Sequence, residues 1–314
     1  MGNRALVTGG CGFIGSNLAK KLLEEGYDVT IVDNLSGPRD DFVDFLVSNP
    51  EISFIPGCFS SKHVLNDIID KKFDYVFHNA AIPRVSYSVE NPYETTEVNI
   101  TRTVKLLEAC KDNIERFIFA SSSSVYGGAD ILPTPNSHPK DPKSPYAWQK
   151  SSIEDIIKIF SSLYEMDIIC LRYFNVFGPG QFGASAYATA VSAWCHAIKN
   201  NLPLRSDGTG EQTRDMCYID NVVSANLLAA KSTKKFSGEC INIACGDRTS
   251  NNDILKYLKS YFPNIEVKSA PARPGDVMHT QADISDTNDL IGYKPIVHFW
   301  DGLDETLEWW DLKD

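Results

Sequence analysis

Short apolar segments alternate with amphipathic helical patterns through the first half of the chain. Apolar runs at residues 5–8, 28–32, 52–55, 75–79, 117–120 and 168–172 predict β-strands, and residues 16–25 have helical periodicity. This alternation predicts an α/β protein with a doubly wound parallel sheet. After residue 177 the pattern becomes irregular, with short elements such as 240–244. We expect one domain over 1–175 and a smaller α/β lobe over 176–314, with segments near 216–245 rejoining the first sheet.

A glycine-rich turn separates the first predicted strand from the first helix. Gly9 allows a tight turn, Gly12 allows close backbone approach, and Gly15 allows the helix to pack against the strand. The helix N-terminus offers unpaired N–H groups to a pyrophosphate. Asp33 ends the second strand, where an acidic side chain accepts hydrogen bonds from ribose hydroxyls and repels a 2′-phosphate. The pattern predicts a Rossmann-type domain that binds NAD.

A serine run and a Tyr-x-x-x-Lys spacing supply candidate chemistry. Residues 121–124 are serines directly after a predicted strand, where doubly wound sheets place their binding crevice. Pro145 begins a predicted helix that carries Tyr146 and Lys150 on one face, because residues four apart are neighbours. A lysine ammonium and a positively charged nicotinamide stabilise a phenolate, so the pKa of Tyr146 should fall toward neutrality. Tyr146 is therefore the candidate acid/base group.

Composition narrows the class of protein. The chain has 314 residues and a net charge of −11, which disfavours non-specific binding to nucleic acid. Its eight cysteines have no metal-ligand spacing, so we expect reduced thiols and no metal site; Cys110, Cys170, Cys195 and Cys240 lie in apolar stretches and should be buried. The first strand starts almost at residue 1, and no apolar run approaches the length of a membrane span. We expect a cytoplasmic protein without a membrane partner.

Several motifs in one order resemble the extended short-chain dehydrogenase/reductase superfamily, and most closely its UDP-sugar 4-epimerases. The matching stretches are Thr8-Gly-Gly-Cys-Gly-Phe-Ile-Gly15, Asp33-Asn-Leu-Ser36, His78-Asn-Ala-Ala81, Asn99, Ser121 to Gly127, Ser144-Pro-Tyr-Ala-Trp-Gln-Lys150, Arg172-Tyr-Phe-Asn-Val-Phe-Gly-Pro179, Arg214-Asp215 and Arg273-Pro-Gly-Asp276. The resemblance covers essentially the whole chain.

This resemblance implies roles for individual residues. Tyr146 would be the general base and acid, Lys150 would bind the nicotinamide ribose, and Ser122 would bond the sugar's 4-hydroxyl. The residues implied in NAD binding are Gly9, Gly12, Phe13, Ile14, Gly15, Asp33, Asn34, Asn79, Ala80, Ala81, Asn99, Ser121, Tyr146, Lys150 and Tyr173. The residues implied in binding a UDP-sugar are Ser122, Ser123, Tyr146, Asn175, Thr189, Arg214, Arg273, Asp276 and Thr280. Alternatively, Arg214 and Asp215 form a surface ion pair and Asn175 is a turn residue.

The implied reaction is epimerisation at C4 of a UDP-hexose through a 4-keto sugar, with NAD retained. Nucleotide-sugar 4,6-dehydratases carry Thr-Asp-Glu where this chain has Ser122, Ser123 and Ser124, and UDP-uronate 4-epimerases typically read Arg-Phe-Phe-Thr where it has Arg172-Tyr-Phe-Asn175. Both alternatives stay open. A non-catalytic NAD-binding sensor is a third, although such proteins usually lose the Tyr/Lys pair.

Substrate breadth and assembly are left open by the sequence. In the UDP-sugar 4-epimerases that the chain resembles, a small residue at the position of Thr280 implies room for an N-acetylated sugar. Alternatively, Thr280 is a buried β-branched filler and implies nothing about the substrate. Arg84 stands where relatives often have small residues beside the hexose, and Cys58 stands where they have an aspartate that binds adenine. Relatives commonly form homodimers through two helices. Six apolar residues at helical spacing belong either to such a dimer interface or to the internal core: Leu106, Leu107, Ile153, Ile156, Ile157 and Phe160.

Overall fold

A computed structural model describes residues 2–37, 48–184, 189–272 and 277–313. The predicted substrate residues Arg273 and Asp276 lie outside the described residues. The strands are β1 (Arg4–Thr8), β2 (Asp28–Asp33), β3 (Ile52–Pro56), β4 (Tyr75–His78), β5 (Arg116–Ser122), β6 (Ile168–Tyr173), β7 (Val176–Phe177), β8 (Leu204–Asp207), β9 (Thr213–Arg214), β10 (Cys217–Tyr218), β11 (Ser237–Ile243), β12 (Thr249–Ser250) and β13 (Val267–Ala270).

The helices that flank these strands are α1 (Phe13–Glu24), α2 (Lys62–Ile69), α3 (Val85–Glu90), α4 (Pro92–Thr96), α5 (Thr103–Cys110), α6 (Pro145–Tyr164), α7 (Ala190–Lys199), α8 (Ile219–Lys231), α9 (Asn251–Tyr261), α10 (Ser285–Ile291) and α11 (Phe299–Trp309). A π-helical segment, Glu97–Arg102, joins α4 to α5, and a 3₁₀ turn, Ser123–Tyr126, follows β5. Helix α1 begins three residues before the predicted start, inside the glycine turn.

The central sheet is parallel and has the order β3-β2-β1-β4-β5-β6-β11. Its first six strands follow the dinucleotide-binding order, in which the chain reverses direction across the sheet between β1 and β4. All six strands predicted in the first half are present, and the prediction of a doubly wound sheet is confirmed. A crevice therefore opens at the carboxyl ends of β1 and β4, where such sheets bind ligands.

The sheet is buried on both faces. Successive residues of β1 alternate between two hydrophobic clusters: Ala5 and Val7 pack with residues of α1 and α8, whereas Leu6 packs with residues of α2, α5 and α6. A parallel sheet covered on both sides reads as a continuous apolar run, which is why β1 is a strong signal in the sequence.

The second half of the chain contributes both to the sheet and to smaller elements. Residues 240–243 of the short element predicted at 240–244 belong to β11, which begins earlier, at Ser237, and forms the edge of the sheet beside β6. Three two-stranded pairs, β7 with β10, β9 with β12 and β8 with β13, lie outside it. Within the described ranges, no helix is both long enough and apolar enough to span a bilayer.

Candidate active site

A cleft of about 1100 Å³ lies at the carboxyl ends of the central strands. Most residues predicted to bind NAD line it, namely Gly9, Gly12, Phe13, Ile14, Gly15, Asp33, Asn34, Asn79, Ala80, Ala81, Ser121, Tyr146, Lys150 and Tyr173, and Thr189 from the predicted substrate set lines it as well. The sheet order thus brings together side chains that are more than 160 positions apart in the sequence.

The glycine turn forms a cradle that has no room for a side chain at Gly9 or Gly15. Gly9 has a φ of +68°, and a Cβ on it would lie 2.8 Å from the backbone nitrogen of Ala80. A Cβ on Gly15 would overlap the carbonyl oxygen of Gly9 and lie 2.8 Å from its carbonyl carbon. Gly15 therefore allows α1 to approach the turn itself rather than the strand. Gly12 precedes the first residue of α1, whose N-terminal N–H groups face this turn.

Asp33 is tied to the same turn. One carboxylate oxygen accepts a hydrogen bond from the Cys11 backbone N–H at 3.0 Å, and the other accepts one from the Leu35 N–H at 2.7 Å. Each oxygen keeps a further lone pair, because an ionised carboxylate has about four acceptor sites. Cys11 itself is buried among core residues, so its side chain is accommodated without disturbing the turn. A dinucleotide pyrophosphate and its ribose fit this glycine cradle and carboxylate.

Helix α6 positions the candidate acid/base group at its first turn. Ser144 caps the helix by accepting a hydrogen bond from the Ala147 N–H at 3.2 Å, and Pro145 occupies the first helical position. The Tyr146 backbone N–H, which has no partner inside the helix, donates to Ser88 Oγ at 3.0 Å. Helix α3, which carries Ser88, therefore fixes the start of α6.

Burial dominates the electrostatics of the Tyr/Lys pair. Tyr146 is 8% exposed and Lys150 is 5% exposed. Burial raises the pKa of Tyr146 to about 12, and a hydrogen bond with Ser122 acts in the opposite direction. Burial also lowers the pKa of Lys150 to about 8. The predicted fall in the Tyr146 pKa is absent from the protein alone, so it depends on positive charge from a bound cofactor and stays a prediction.

The Lys150 ammonium is held in place by the neighbouring strand. Its Nζ donates to the Ala120 carbonyl oxygen at 2.6 Å and lies 4.6 Å from the centroid of the Phe119 ring. It is 5.9 Å from the centroid of the Tyr146 ring. The sequence correctly placed both side chains on one face of α6, but the strongest contact of Lys150 is with β5.

Asn99 acts on the backbone near the cleft. It lies within the π-helical segment, is 4% exposed, and clamps Ile82 by accepting from its N–H at 2.8 Å and donating to its carbonyl at 3.2 Å. Its amide also donates to Gln149 on α6 at 2.8 Å. Asn99 is absent from the cleft lining, so a role toward NAD would act through Ile82.

Comparison with known families decides the assignment. Residues 5–244 match the NAD dependent epimerase/dehydratase family. The chain belongs to this family. Members use NAD, and the glycine cradle and Asp33 are the residues that would hold it here.

Relatives in the epimerase/dehydratase family span the chain from end to end. The putative UDP-glucose 4-epimerase of Methanocaldococcus jannaschii is 35% identical, with 97% of each sequence covered. The UDP-N-acetylglucosamine 4-epimerase of Methanobrevibacter ruminantium, solved with UDP-N-acetylmuramic acid, is 37% identical, with 99% of each chain covered and a TM-score of 0.91. The UDP-glucuronic acid 4-epimerase of Bacillus cereus, solved with UDP-glucuronic acid and NAD, is 32% identical, with 98% and 99% covered and a TM-score of 0.90. The similarity therefore extends across several substrates.

The remaining predicted substrate residues of this family member cluster around a buried carboxylate. Asn175 donates to the Asp215 carbonyl at 2.9 Å and to Thr280 Oγ1 at 3.2 Å, and Arg214 donates to the Met278 carbonyl at 3.2 Å. Asp215 is fully buried, and its carboxylate accepts three backbone N–H groups. The alternative of a surface ion pair is wrong. Thr280 is half-buried, and its Oγ1 accepts a hydrogen bond from the Asp215 N–H at 3.1 Å, so its influence on the size of the substrate pocket stays a prediction.

Ser122 and Ser123 directly follow Ser121, which lines the cleft. Ser122 ends β5 and accepts a hydrogen bond from the Ser124 N–H at 3.2 Å, and Ser123 begins the following 3₁₀ turn. Neither lines the cleft, and the same holds for Asn175, Arg214 and Thr280. Ser122 is nevertheless hydrogen-bonded to Tyr146, which lines the cleft.

The sequence did not predict one part of the cleft wall, the contacts of Arg102. Arg102 donates to Glu97 Oε1 at 2.9 Å and to the Cys58 sulfur at 3.4 Å, and all three residues line the cleft near β3. This ion pair occupies the region where the resemblance placed adenine, and the departure at Cys58 was the only signal for it. Arg84, which the resemblance placed beside the hexose, also lines the cleft and is half-buried.

Proposed function

We propose that this protein epimerises UDP-hexoses at C4, interconverting UDP-glucose with UDP-galactose, UDP-N-acetylglucosamine with UDP-N-acetylgalactosamine, or both pairs. The observation that carries the proposal is the position of the buried Tyr146 and Lys150 at the end of β5, where Tyr146 is hydrogen-bonded to the half-buried Ser122 and Lys150 donates to the Ala120 carbonyl. NAD, when bound, supplies the acceptor for hydride from sugar C4. Tyr146 takes the proton of the 4-hydroxyl to give a 4-keto sugar, and it returns a proton after the sugar has turned over.

The residues after Ser122 favour epimerisation over dehydration. Removal of a sugar 6-hydroxyl as water needs an acid and a base beside C5 and C6. Ser123 and Ser124 offer only hydroxyls at the positions where dehydratases carry carboxyl groups. A 4-keto sugar formed here would therefore be reduced again instead of losing water.

UDP-uronate epimerisation is a second candidate, favoured by the Arg84 guanidinium in the cleft wall. A cation at the sugar end of the cleft would stabilise a carboxylate at C6. The Arg172-Tyr-Phe-Asn175 sequence favours the hexose substrates instead.

The test is to incubate the purified protein with UDP-glucose, UDP-N-acetylglucosamine or UDP-glucuronate, with and without added NAD, and to separate the C4 epimers by anion-exchange chromatography. We expect an epimer from at least one of the two hexoses. An epimer from UDP-glucuronate alone would establish the second candidate, and a 4-keto-6-deoxy product would establish dehydration. Absence of every product with NAD present would contradict the proposal.

We also propose that the protein is a homodimer and works in a reducing compartment such as the cytoplasm. Four of the six apolar residues predicted as a dimer face or core are fully buried inside the chain: Leu106, Leu107, Ile153 and Ile157. The exposed apolar or aromatic side chains of α6 are instead Trp148, Ile159, Leu163 and Tyr164, and the first three recur on one face. All eight cysteines are free thiols, which suits a reducing compartment. Sedimentation of the wild type and of Leu163→Asp tests the dimer: the variant should be a monomer.

A further inference from the structure

One face of α6 and the end of β5 are joined by three successive contacts. The α6 residues are spaced four apart, so they lie in one row along the helix. Tyr146 contacts Ser122, Lys150 donates to the Ala120 carbonyl at 2.6 Å, and the Ser121 hydroxyl donates to Glu154 Oε1 at 2.6 Å. The contact with Glu154 therefore fixes Ser121, which lies on β5 between Ala120 and Ser122.

Glu154 is a fully buried carboxylate paired with a buried arginine. Arg172 on β6 donates from Nε to Oε1 and from Nη2 to Oε2, both at 2.8 Å. Glu154 is 0% exposed and Arg172 is 3% exposed. The remaining guanidinium nitrogen donates to the Tyr126 hydroxyl at 2.7 Å and to the Asn136 carbonyl at 3.0 Å. The pair therefore has a fixed orientation and is well satisfied by hydrogen bonds.

Stability alone is a poor explanation for such a pair. Removing two charges from water is costly, and apolar side chains of similar size are often as stable in the same place. A bidentate pair does impose a fixed geometry, because the planar guanidinium fits the carboxylate in one orientation. Here the Glu154–Arg172 pair fixes the position of Ser121. Ser121 lies between Ala120, which contacts Lys150, and Ser122, which contacts Tyr146.

We propose that Glu154 and Arg172 are positioning residues for the acid/base group of this protein. Glu154 holds Ser121 and so sets the end of β5 against Tyr146 and Lys150, while Arg172 cancels the charge that Glu154 would otherwise place beside them. This inference rests on the proposed role of Tyr146 in epimerisation. It assigns to α6 a functional row of three residues, Tyr146, Lys150 and Glu154.

Other charged and titratable groups surround the pair and stay in place when it is changed. Lys140, from the loop before α6, lies 3.7 Å from Glu154 Oε2 and also pairs with the exposed Asp155 at 2.6 Å. The ammonium of Lys150, the thiols of Cys170 on β6 and Cys240 on β11 and the hydroxyl of Tyr126 also face the pair, and Glu154 raises the pKa of Lys150 against the effect of burial. The net charge contributed by Glu154 and Arg172 is therefore the variable in the test.

Single substitutions should move the titration of Tyr146 in opposite directions. Glu154→Gln leaves the Arg172 charge uncompensated, which favours the phenolate and lowers the apparent pKa of Tyr146. Arg172→Gln leaves a carboxylate, which raises it. Eight residues of helix separate Tyr146 from Glu154 by about 12 Å, and a unit charge at that distance with an effective dielectric constant of about 20 shifts a pKa by about one unit. We expect opposite shifts of about half a unit to one unit.

The experiment follows the NAD-loaded protein with two readouts. The first is the pH dependence of kcat for the hexose that is turned over. The second needs no sugar: the ultraviolet absorbance difference between each protein and its Tyr146→Phe counterpart reports the ionisation of Tyr146. If the wild type turns over neither hexose, the proposed function fails, but the absorbance titration still tests the positioning pair.

Two kinds of control separate charge and position from folding. Asp167→Asn breaks a second buried pair, Arg116 with Asp167, at the opposite end of β5, and it should lower stability while leaving the Tyr146 midpoint unchanged. Glu154→Asp and Arg172→Lys conserve charge but change position. They should therefore keep the wild-type midpoint of Tyr146 ionisation while lowering kcat at least about threefold. Equal midpoints in Glu154→Gln, Arg172→Gln and the wild type would overturn the proposal. If Arg172→Gln does not fold, an unshifted midpoint in Glu154→Gln has the same consequence.

Discussion

Gly12 and Gly15 lie three residues apart in the same turn, yet the structure predicts different consequences for a methyl group at each. A Cβ at Gly15 meets only backbone atoms, including the Gly9 carbonyl carbon at 2.8 Å and Gly10 Cα at 3.0 Å. A Cβ at Gly12 meets a single atom within 4 Å, the Gly9 carbonyl oxygen at 3.3 Å. Gly15→Ala therefore perturbs the protein itself, whereas Gly12→Ala perturbs the space that the pyrophosphate would occupy.

The cost at Gly15 follows from the lack of any side chain that could move aside. Overpacking of this kind typically costs about 1–3 kcal/mol, and the backbone of the turn must shift to relieve it. With an unfolding entropy of roughly 2.1 cal/mol/K per residue and 314 residues, each kcal/mol lowers Tm by roughly 1.5 °C. Gly15→Ala should lower Tm by about 2–5 °C and also weaken NAD binding, since the displaced turn no longer presents its N–H groups.

The cost at Gly12 should fall on binding alone. Its φ of −81° and ψ of 168° suit alanine, so the free energy of unfolding should change by less than about 1 kcal/mol, in either direction. A methyl group that keeps an anion from the helix N-terminus removes one charge-assisted hydrogen bond, worth about 1.5–3 kcal/mol. The affinity for NAD should fall about 10- to 100-fold.

The assay measures Tm in NAD-free protein and NAD affinity by isothermal titration calorimetry for the wild type and both variants. The expected result is one variant that loses affinity only and one that loses both affinity and Tm. Wild-type affinity in Gly12→Ala would show that no close backbone approach occurs there. An unchanged Tm in Gly15→Ala would show that the turn yields more easily than its packing indicates.

Three further substitutions test the site. Tyr146→Phe should lower kcat about 100-fold or more. Tyr27 is a buried tyrosine that directly precedes β2, at the amino ends of the strands, so Tyr27→Phe should leave kcat unchanged. Burial raises the pKa of Asp215 to about 7, against about 4 in the unfolded chain, so its contribution to stability is complete below pH 4 and is lost as the pH rises from about 4 through about 7. Thermal unfolding should show the Tm of Asp215→Asn improving relative to the wild type between about pH 4 and 7 and levelling off at higher pH. Thr280→Tyr should lower turnover of UDP-N-acetylglucosamine at least about 10-fold relative to UDP-glucose, whereas Thr280→Val, which keeps the volume, should leave the ratio of the two rates unchanged.

The sheet and the cofactor cradle were predictable because their signals are local. An apolar run such as 168–172 is buried on both faces, so nearly every position carries the pattern. The glycine spacing and Asp33 are likewise fixed by a single turn and a single strand end. Strand ends were less well predicted: β5 continues to Ser122, because polar residues at the carboxyl end still pair with β6.

Contacts between distant segments were not predictable in the same way. Glu154 reads as an ordinary helical residue, and only the parallel pairing of β5 with β6 brings Arg172 to it. Asp215 reads as half of an ion pair with its neighbour, but its carboxylate meets the backbone of Cys245 and Ala282 instead. Sequence spacing reports neighbours on one element, whereas these contacts depend on how elements are arranged in the sheet.

The same distinction explains why relatives with TM-scores near 0.9 act on different UDP-sugars. The groups for cofactor and proton transfer are on strand ends and on α6, which the sheet fixes. The groups around Asn175, Arg214 and Thr280 are on connections that meet at Asp215. Under the proposed function, a change in those connections would alter the space for the sugar while leaving Tyr146 and the glycine turn in place. We therefore expect the strand ends and α6 to set the proton transfer at C4, and the connections around Asp215 to set which hexose is bound.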